Sequence, residues 1–392
     1  MKVVVFGGAG LMGRVAVRDL ANQPGLDVTI AEYDVASAER IAAWAGSHVA
    51  VTRVDVRDPE SADAALRGAD CALNAVNYYF NLDVMDACLR MGVPYVDMGG
   101  LYHMTRRQLE RDAAFRAAGV TAILGVGACP GVTNVHVAYA AKLLDRMTSI
   151  RMYDGSAPYE SDGVSWGYAL GTILDEISMN PVTFRDGTLV ELEPVSEVEP
   201  YAFSAPIGTR AVHHTLHSEI ATMPQVYADR GINEVSFKID YFGLSAPVFD
   251  RLKLLVDLGL ADRDPITVGG VEVRPRDILQ VALQSRVATT DVPPAETAEE
   301  LVTEVRGEDA EGPAVITLRT LSRGRADWGI DGSALVTGVP PAIVAGQLAS
   351  GALKNPGVHA PETILEARPF FEALGARGIR TTVAVERSVG GS

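Results

Sequence analysis

A glycine-rich turn near the start of the chain has the residue spacing of a dinucleotide-binding site. An apolar stretch, Met1 to Phe6, is followed by Gly8, Gly10 and Gly13 in the pattern G-x-G-x-x-G. The first glycine permits a tight turn, the second lets a pyrophosphate approach the backbone, and the third allows close packing of the helix predicted over about 11–22. The free N–H groups of that helix then face the phosphates. We expect cofactor contacts from the whole turn: Gly8, Ala9, Gly10, Leu11, Met12 and Gly13.

The cofactor preference is predicted from an acidic residue at the end of the second strand. Glu32 follows Gly13 by about 20 residues, the spacing expected of the carboxylate that hydrogen-bonds an adenosine ribose. A carboxylate repels the 2′-phosphate of NADP, and the adjacent Tyr33-Asp34-Val35 has no basic side chain. NAD is therefore expected in preference to NADP. Asp55, at the end of the third predicted strand, either contacts the adenine or orders its own loop.

Two further stretches place polar or reactive side chains where strands are predicted to end. Ligands of a doubly wound sheet bind beyond the carboxyl ends of its strands. The fourth predicted strand ends in such residues, and we expect cofactor contacts from Asn74, Ala75, Val76 and Asn77. The second stretch is a glycine-rich turn that holds Cys129 and precedes an apolar helix predicted over about 132–144. Cys129 either has a chemical role or is a small side chain that fits the turn.

The elements that position these residues alternate between strand and helix over the first 130 residues. This alternation predicts an α/β fold, a Rossmann-type doubly wound parallel sheet. The pattern then changes to that of a second α+β domain with a mixed, largely antiparallel sheet. A helix over 338–351, opened by Pro340-Pro341, is expected to pack back on the first domain. The predicted nucleotide-binding domain is therefore 1–130 plus about 330–392, and the substrate domain is 131–329.

The composition restricts the classes of partner. The 392 residues carry a formal net charge of −16, which argues against nucleic acid and anionic membrane surfaces as partners. No signal peptide pattern precedes the first strand, and no run reaches the ~18 apolar residues that a membrane helix needs. The three cysteines have neither metal-ligand nor disulfide spacing, so we expect a cytoplasmic protein without a bound metal.

Several segments resemble the saccharopine dehydrogenase superfamily, in particular its branch of lysine 6-dehydrogenase, saccharopine reductase and carboxynorspermidine dehydrogenase. The segments that carry the resemblance are Asn74-Ala75-Val76 with Tyr78-Tyr79-Phe80-Asn81, Val93 to Asp97, Gly127 to Gly131, Thr337 to Pro340, and Gly357-Val358 with Pro361-Glu362. The resemblance implies a two-domain NAD(P) oxidoreductase that interconverts an amine and an imine. It also implies that the second domain forms a homodimer interface.

The resemblance and the chemistry together nominate groups for proton transfer. An alkylammonium must lose a proton before its carbon can release hydride, so the site needs a base of suitable pKa. The candidates are Tyr78, Asp97, Asp112 and Cys129. Asp112 matches the position of an acid implicated in reductase relatives, whereas Cys129 replaces an acidic residue of saccharopine reductases. A packing, capping or surface role is the alternative for each of the four.

Candidate substrate contacts lie in the second predicted domain. Trp166 and Tyr168 belong to an acidic and aromatic stretch suited to an amine, although such charges also occur on surface loops. His217 ends a histidine-rich segment, for which substrate contact or ordinary structure is favoured over zinc, and the resemblance places it near the substrate pocket. Lys238 lies within an apolar strand and either binds a substrate carboxylate or faces solvent.

These observations lead to one hypothesis with two alternatives. The chain is predicted to be an NAD-dependent enzyme that oxidatively deaminates a lysine-like amino acid or a diamine, a small-molecule substrate. The first alternative is a reductive condensation of an amine with a carbonyl compound, which needs a pocket for two carboxylates. The second is a non-catalytic, NAD-binding sensor.

Overall fold

Strands and helices alternate regularly in the first part of the computed structural model, which describes residues 1–46, 48–157, 168–241, 246–284 and 296–387. In chain order these elements are β1 (Lys2–Phe6), α1 (Gly13–Ala21), β2 (Asp27–Glu32), α2 (Val35–Ala45), β3 (Val49–Arg53), α3 (Pro59–Ala65), β4 (Cys71–Asn74), α4 (Asn81–Met91), β5 (Tyr95–Asp97), α5 (Leu101–Leu109), α6 (Asp112–Ala118), β6 (Thr121–Ile123) and α7 (Val132–Ala141). A short 3₁₀ helix, Tyr78–Phe80, follows β4.

The remaining elements contain longer strands and fewer regular alternations. They are β7 (Arg146–Ser156), α8 (Leu170–Ser178), β8 (Val182–Arg185), β9 (Thr188–Glu191), β10 (Glu199–Ala202), β11 (Thr209–His214), α9 (Met223–Val226), β12 (Glu234–Ile239), α10 (Ala246–Leu255), β13 (Ile266–Val268), β14 (Val271–Val273), α11 (Pro275–Gln284), β15 (Ala298–Asp309), β16 (Gly312–Arg323), α12 (Gly332–Ala349), β17 (Gly357–His359), α13 (Pro361–Ile364), α14 (Ala367–Gly375) and β18 (Arg380–Arg387). Short 3₁₀ helices cover Ser218–Ala221 and Ala228–Arg230, and a π-helical turn covers Val256–Leu260.

The first sheet is parallel and has the strand order β17-β6-β5-β4-β1-β2-β3. Its inner strand β1 is apolar and fully buried from Val3 to Phe6, as expected of a strand covered by helices on both faces. The order of the strands reverses between β1 and β4, which opens a crevice at their carboxyl ends. The predicted doubly wound sheet is therefore confirmed, and the glycine turn and Asn74 both lie at this crevice.

The second sheet is mixed, which confirms the second part of the predicted fold class. Its main path is β10-β11-β12-β7-β15-β16-β18, and β8 joins β9 to β12. β7 and β12 are parallel, whereas the other described pairings are antiparallel. The long hairpin of β15 and β16 positions β7, whose last residues face the first sheet's crevice.

The C-terminal part of the chain contributes to both sheets. β17 extends the parallel sheet beside β6, whereas β18 pairs with β16 from Ala314↔Arg387 to Leu321↔Arg380. The prediction that assigns 330–392 as a whole to the nucleotide-binding domain is therefore corrected at its end. The reason is that β16 offers a free sheet edge to a segment rich in β-branched residues.

Two predicted helices have different bounds in the structure. α12 begins at Gly332, because the Asp331 carboxylate accepts a hydrogen bond from Ala334 N at 2.7 Å, so Pro340 and Pro341 lie inside the helix instead of opening it. The amphipathic pattern over 106–118 predicts one helix, but the structure has α5 and α6 with a break between them.

α12 is the described helix that has the length and composition to span a membrane. Most of it is buried inside the protein, where it packs on α1. A Cβ at Gly338 would lie 2.7 Å from Met12 O, so glycine permits the two helices to approach closely. Burial in the core accounts for the apolar composition of α12.

Candidate active site

A cavity of about 420 Å³ lies between the carboxyl edge of the first sheet and the second sheet. One wall contains Gly10, Leu11, Met12 and the residues 74–78. The opposite wall contains residues of β7, α8, β12 and β15, together with His217 and Ser218. The turn before α7, including Cys129, also lines the cavity. The cavity therefore joins the predicted dinucleotide site to side chains of the second sheet.

The glycine turn has the close backbone contacts of a phosphate-binding turn. Gly7 has a φ of +73°, and a Cβ there would lie 2.7 Å from the Ala75 backbone, so the sharp turn is at Gly7 and not at the predicted Gly8. A Cβ at Gly13 would lie 2.2 Å from Gly7 O. Gly10 has open space, since its Cβ would meet only Gly7 O, at 3.3 Å, among the described atoms. The turn thus leaves room for a pyrophosphate at the start of α1.

Glu32 lies against this turn. Its carboxylate accepts hydrogen bonds from Ala9 N at 3.3 Å and from Tyr33 N at 3.0 Å. The structure also brings a cation near it that local sequence did not indicate, because Arg53 pairs with Glu32 across β2 and β3 and its guanidinium lies 4.9 Å from the Tyr33 ring centroid. Asp55 lies outside the cavity lining and binds Arg57, whose guanidinium helps to lower the pKa of Asp55 to about 2.

Asn74, Ala75, Val76 and Asn77 all line the cavity. The Asn74 amide donates to Asn81 Oδ1 at 2.9 Å and to the Tyr95 hydroxyl at 3.0 Å, while its oxygen accepts from Val76 N at 3.2 Å. These contacts fix the end of β4, which leaves backbone and small side chains facing the cavity.

Tyr78 lines the cavity, but its hydroxyl is bound to the second part of the chain. It donates to Asp175 on α8 at 2.7 Å, and the same carboxylate pairs with Arg263 at 2.5 Å and Arg276 at 2.8 Å. Burial and the Asp175 carboxylate raise the pKa of Tyr78 far above its usual range. Tyr78 therefore acts as a hydrogen-bond donor and is unsuited to accept a proton.

The two predicted aspartates of the first domain lie outside the cavity lining and have structural partners. The Asp97 carboxylate is buried and accepts hydrogen bonds from Gly99 N at 2.9 Å, Gly125 N at 2.6 Å and the Tyr95 hydroxyl at 2.8 Å. Asp112 pairs with Arg116 at 2.7 Å and accepts from Val358 N at 2.9 Å. Asp97 orders two loops, and Asp112 joins α6 to β17, so the structure brings neither to the cavity surface.

Cys129 faces the cavity and contacts a carboxyl group that the sequence reasoning did not select. Its thiol donates to Asp154 Oδ2 on β7 at 3.1 Å. Burial and the neighbouring carboxyl groups of Asp154, Glu219 and Glu299 raise the pKa of the thiol well above its usual range. Cys129 therefore remains a thiol, which donates a hydrogen bond and is a poor base.

Three carboxyl groups line the cavity from three different elements. They are Asp154 of β7, Glu176 of α8 and Glu299 of β15, and each is nearly inaccessible to solvent. Burial raises the pKa of Asp154 to about 8, that of Glu176 to about 7, and that of Glu299 well above its usual range. Among its described lining residues the cavity has no lysine or arginine. It is therefore suited to a cation and unsuited to a dicarboxylate.

The predicted substrate residues fall into three groups. Tyr168 and His217 line the cavity, where the Tyr168 hydroxyl donates to Glu176 and His217 contacts the Glu219 carboxylate. Burial lowers the pKa of His217, but Glu219 outweighs this effect and the net shift is upward. Lys238 lies outside the cavity lining and binds Glu197 O at 2.7 Å and Glu199 at 3.0 Å. Trp166 lies outside the described residues.

Comparison with protein families matches almost the whole chain. Residues 3–123 match the model described as "Saccharopine dehydrogenase NADP binding domain", and residues 127–379 match "Saccharopine dehydrogenase C-terminal domain". The chain belongs to the saccharopine dehydrogenase family. It is therefore an oxidoreductase with a nicotinamide dinucleotide-binding domain of the Rossmann type, and the glycine turn described above fits that cofactor.

Relatives of this saccharopine dehydrogenase family member match along nearly their full lengths. It is 25% identical to carboxyaminopropylagmatine dehydrogenase of Synechocystis over 391 residues, which cover 96% of each chain. It is 24% identical to carboxynorspermidine synthase of Vibrio alginolyticus over 407 residues, covering 97% of this chain and 96% of the relative. These relatives act on polyamine-related compounds.

Solved structures have the same fold as this family member. Saccharopine dehydrogenase (L-Glu forming) of Saccharomyces cerevisiae superposes with a TM-score of 0.74 at 19% identity, covering 98% of this chain and 100% of that one. Homospermidine synthase of Legionella pneumophila in complex with NAD superposes with a TM-score of 0.66 at 11% identity, covering 99% of this chain and 91% of that one.

Sequence reasoning missed Asp154 and Glu299, and it noted Glu176 only as an acid close to the stretch that holds Trp166 and Tyr168. Arg151 lies three residues before Asp154 on β7, Asp175 precedes Glu176, and Glu300 follows Glu299, so the local sequence does not distinguish these acids from others. Burial does distinguish them, because an unpaired carboxylate is rarely fully buried without a specific role or partner.

Proposed function

We propose that this protein is an NAD-dependent oxidoreductase that interconverts an amine and an imine at a C–N bond of a polycationic, polyamine-type substrate. The observation that carries the proposal is the cavity itself, which runs from the glycine turn to Asp154, Glu176 and Glu299. When bound, the nicotinamide ring supplies the hydride acceptor or donor for this chemistry.

The charge of the cavity supports a substrate with more than one cationic nitrogen. A buried carboxylate is stabilised by a cation placed beside it, and three carboxyl groups on separate elements can contact nitrogens at separate positions along a chain. A substrate with two carboxylates meets no lysine or arginine among the described lining residues. The printed names of the two relatives, which refer to agmatine and norspermidine derivatives, support the same substrate class.

The test is a comparison of substrates. The protein is incubated with NAD and, in separate reactions, carboxyaminopropylagmatine, carboxynorspermidine, agmatine, lysine and saccharopine, while the near-ultraviolet absorbance of the reduced cofactor is followed. We expect the highest kcat/KM with one of the polyamine-type compounds. A clear preference for lysine favours the oxidative deamination of a lysine-like amino acid, and a preference for saccharopine contradicts the proposed substrate class.

Reaction in the reductive direction is a second candidate, because one relative is named as a synthase of carboxynorspermidine. The same cavity serves this direction, in which an amine and an aldehyde form an imine that is then reduced, for partners that do not together bring two carboxylates. Consumption of NADH with the amine and aldehyde together, but with neither alone, supports this direction. Binding of NAD without turnover of any compound in either direction favours the sensor alternative.

The preference for NAD is proposed from Glu32, whose carboxylate binds the turn at Ala9 N. The nearby Arg53 guanidinium would attract the 2′-phosphate of NADP. We expect the negative charge of Glu32 to outweigh this attraction and to disfavour NADP. Glu32→Gln keeps an oxygen for Ala9 N and removes the charge. Titrations with both cofactors are expected to show a shift of affinity toward NADP in this variant, and Arg53→Met should reverse part of it. The exposed Glu39→Gln on α2 is the control, and tighter wild-type binding of NADP than of NAD contradicts the proposal.

We also propose that the protein is a cytoplasmic homodimer. The free thiols of Cys71, Cys88 and Cys129 support a reducing compartment. Light scattering coupled to size exclusion measures the oligomeric state, and a monomer at micromolar concentration contradicts the dimer.

A further inference from the structure

The carboxyl group of Asp154 has one oxygen with a protein partner and one without. Oδ2 accepts the Cys129 thiol at 3.1 Å. Oδ1 is buried and has no hydrogen-bond partner among the residues that the structure describes, although Asp154 lines the cavity. A buried polar atom without a hydrogen-bond partner is costly, so its persistence indicates that a ligand supplies the partner.

We propose that Asp154 exchanges the proton of the substrate nitrogen, an inference that rests on the proposed function. In the oxidative direction, Oδ1 of the carboxylate takes a proton from the substrate ammonium. The nitrogen lone pair that this frees forms the C=N bond as the adjacent C–H bond breaks and its electron pair leaves as hydride to oxidised nicotinamide. In the reductive direction the carboxylic acid returns the proton to the amine nitrogen.

The groups around Asp154 adjust its protonation. Those that face it are Cys129 before α7, Tyr168 and Glu176 at α8, Glu219 in the 218–221 turn, Asp240 after β12 and Glu299 on β15. Asp240 in turn has Arg210 at 3.8 Å. Burial, assisted by Asp240, Glu176 and Glu219, raises the pKa of Asp154 to about 8, while the Cys129 thiol opposes the rise. Proton transfer is most efficient when the pKa lies near the ambient pH.

The sign of the pH dependence follows from this arrangement. Oxidation needs the carboxylate, so its kcat/KM should rise as the pH increases through about 8. Reduction needs the protonated acid, so its kcat/KM should fall over the same interval. The other nominated groups do not fit this behaviour, because Tyr78 is directed to Asp175 and Cys129 retains its proton.

The first test is the pH profile of substitution variants. Asp154→Asn should lower kcat by roughly 10²-fold or more, with little change in cofactor affinity. It should also abolish the change of kcat/KM with pH near pH 8, which we call the pH limb. Cys129→Ala should move the limb to higher pH, because the carboxylate loses a donor, whereas Cys129→Ser should leave it closer to the wild-type position. Retention of both rate and limb in Asp154→Asn overturns the assignment.

A second test does not depend on turnover and also applies if Asp154→Asn is poorly active for other reasons. Agmatine is titrated into the protein by calorimetry near pH 7 in two buffers of different ionisation enthalpy. The cation should expel the proton of Asp154, so the wild type should release about one proton per site more than Asp154→Asn. Equal release overturns the assignment. If the wild type oxidises amines but both tests fail, the proposed function stands; if it neither binds nor oxidises any amine, the proposed function itself fails.

Discussion

The hydroxyl of Tyr78 lies 2.7 Å from a carboxylate oxygen of Asp175 and joins the edge of the parallel sheet to α8 of the second part of the chain. Asp175 is fully buried, accepts further hydrogen bonds from Tyr79 and Arg263, and forms an ion pair with Arg276. The Asp175 carboxylate therefore connects all of these side chains beside the cavity. Tyr78 is a positioning residue, because its hydrogen bond holds the end of the parallel sheet against α8.

We expect Asp175→Ala to destabilise the fold by about 3–5 kcal/mol, because it leaves the buried Arg276 guanidinium without its carboxylate partner. Tyr78→Phe should cost only about 1 kcal/mol and leave the pH profile unchanged. Urea unfolding measures both. Asp257→Ala, which removes an exposed pair with Lys253, is the control and should cost less than about 1 kcal/mol. Loss of the pH limb in Tyr78→Phe contradicts the positioning role.

The glycine turn gives a prediction about cofactor affinity. Gly13→Ala places a Cβ 2.2 Å from Gly7 O, so the backbone of the phosphate-binding turn must change its conformation. We expect the Kd of the Gly13→Ala variant for the dinucleotide to be at least about tenfold higher than that of the wild type. Gly375→Ala at the end of α14 meets no atom within 4 Å and is the matched control. Equal affinity in the two variants indicates that the dinucleotide binds elsewhere.

Glu176 is predicted to affect both substrate binding and the titration of Asp154. Glu176→Gln removes a negative charge that raises the pKa of Asp154, so the pH limb should move below its wild-type position of about 8. The KM for a dicationic amine should rise by roughly tenfold, the equivalent of about 1.4 kcal/mol. Steady-state kinetics over a pH series measures both effects. The exposed Glu39→Gln should change neither, and an upward shift of the limb contradicts the electrostatic model.

His136 gives a prediction about stability at acid pH. Its ring is buried between Thr303 and Thr320, with which it makes hydrogen bonds of 3.0 and 2.7 Å, and burial lowers its pKa from 6.5 to about 3. The unfolded chain binds a proton below pH 6.5 and the folded protein does not, so this residue lowers the stability as the pH falls from 6.5 toward 3. The contribution is roughly 1.4 kcal/mol per pH unit.

The measurement for His136 is the free energy of unfolding between pH 7 and 4. His136→Gln retains hydrogen-bonding groups for both threonines and does not titrate, so it should show a shallower pH dependence than the wild type. An equal slope in both proteins excludes His136 as a source of acid sensitivity.

The order of elements in the first sheet was predictable because its signals are local. β1 is a short β-branched run, the glycines follow it directly, and Glu32 ends the next such run. Each conformation depends on residues within one turn or strand, so spacing alone predicts it. The position of Gly7 was missed because adjacent glycines are equivalent in a spacing pattern, and only the approach of Ala75 from β4 distinguishes them.

The candidate proton-transfer residue was not predictable in this way. Asp97 and Asp112 carry suitable groups, but neither lies in the cavity lining. Asp97 accepts hydrogen bonds from the Gly99 and Gly125 N–H groups, and Asp112 pairs with Arg116 within α6 and accepts from Val358 N of β17. Asp154 is one acid among many in the sequence. Its raised pKa depends on burial and on Glu176, Glu219 and Asp240, which come from separate elements.

The amino-acid sequence by itself determined the dinucleotide-binding turn, the parallel sheet and the family resemblance, because these follow from short-range spacing and hydrophobic pattern. Only the tertiary structure decided which carboxyl groups meet in the cavity and which are neutralised elsewhere. The physical reason is that burial and charge pairing arise between segments far apart in the chain, so no local pattern records them.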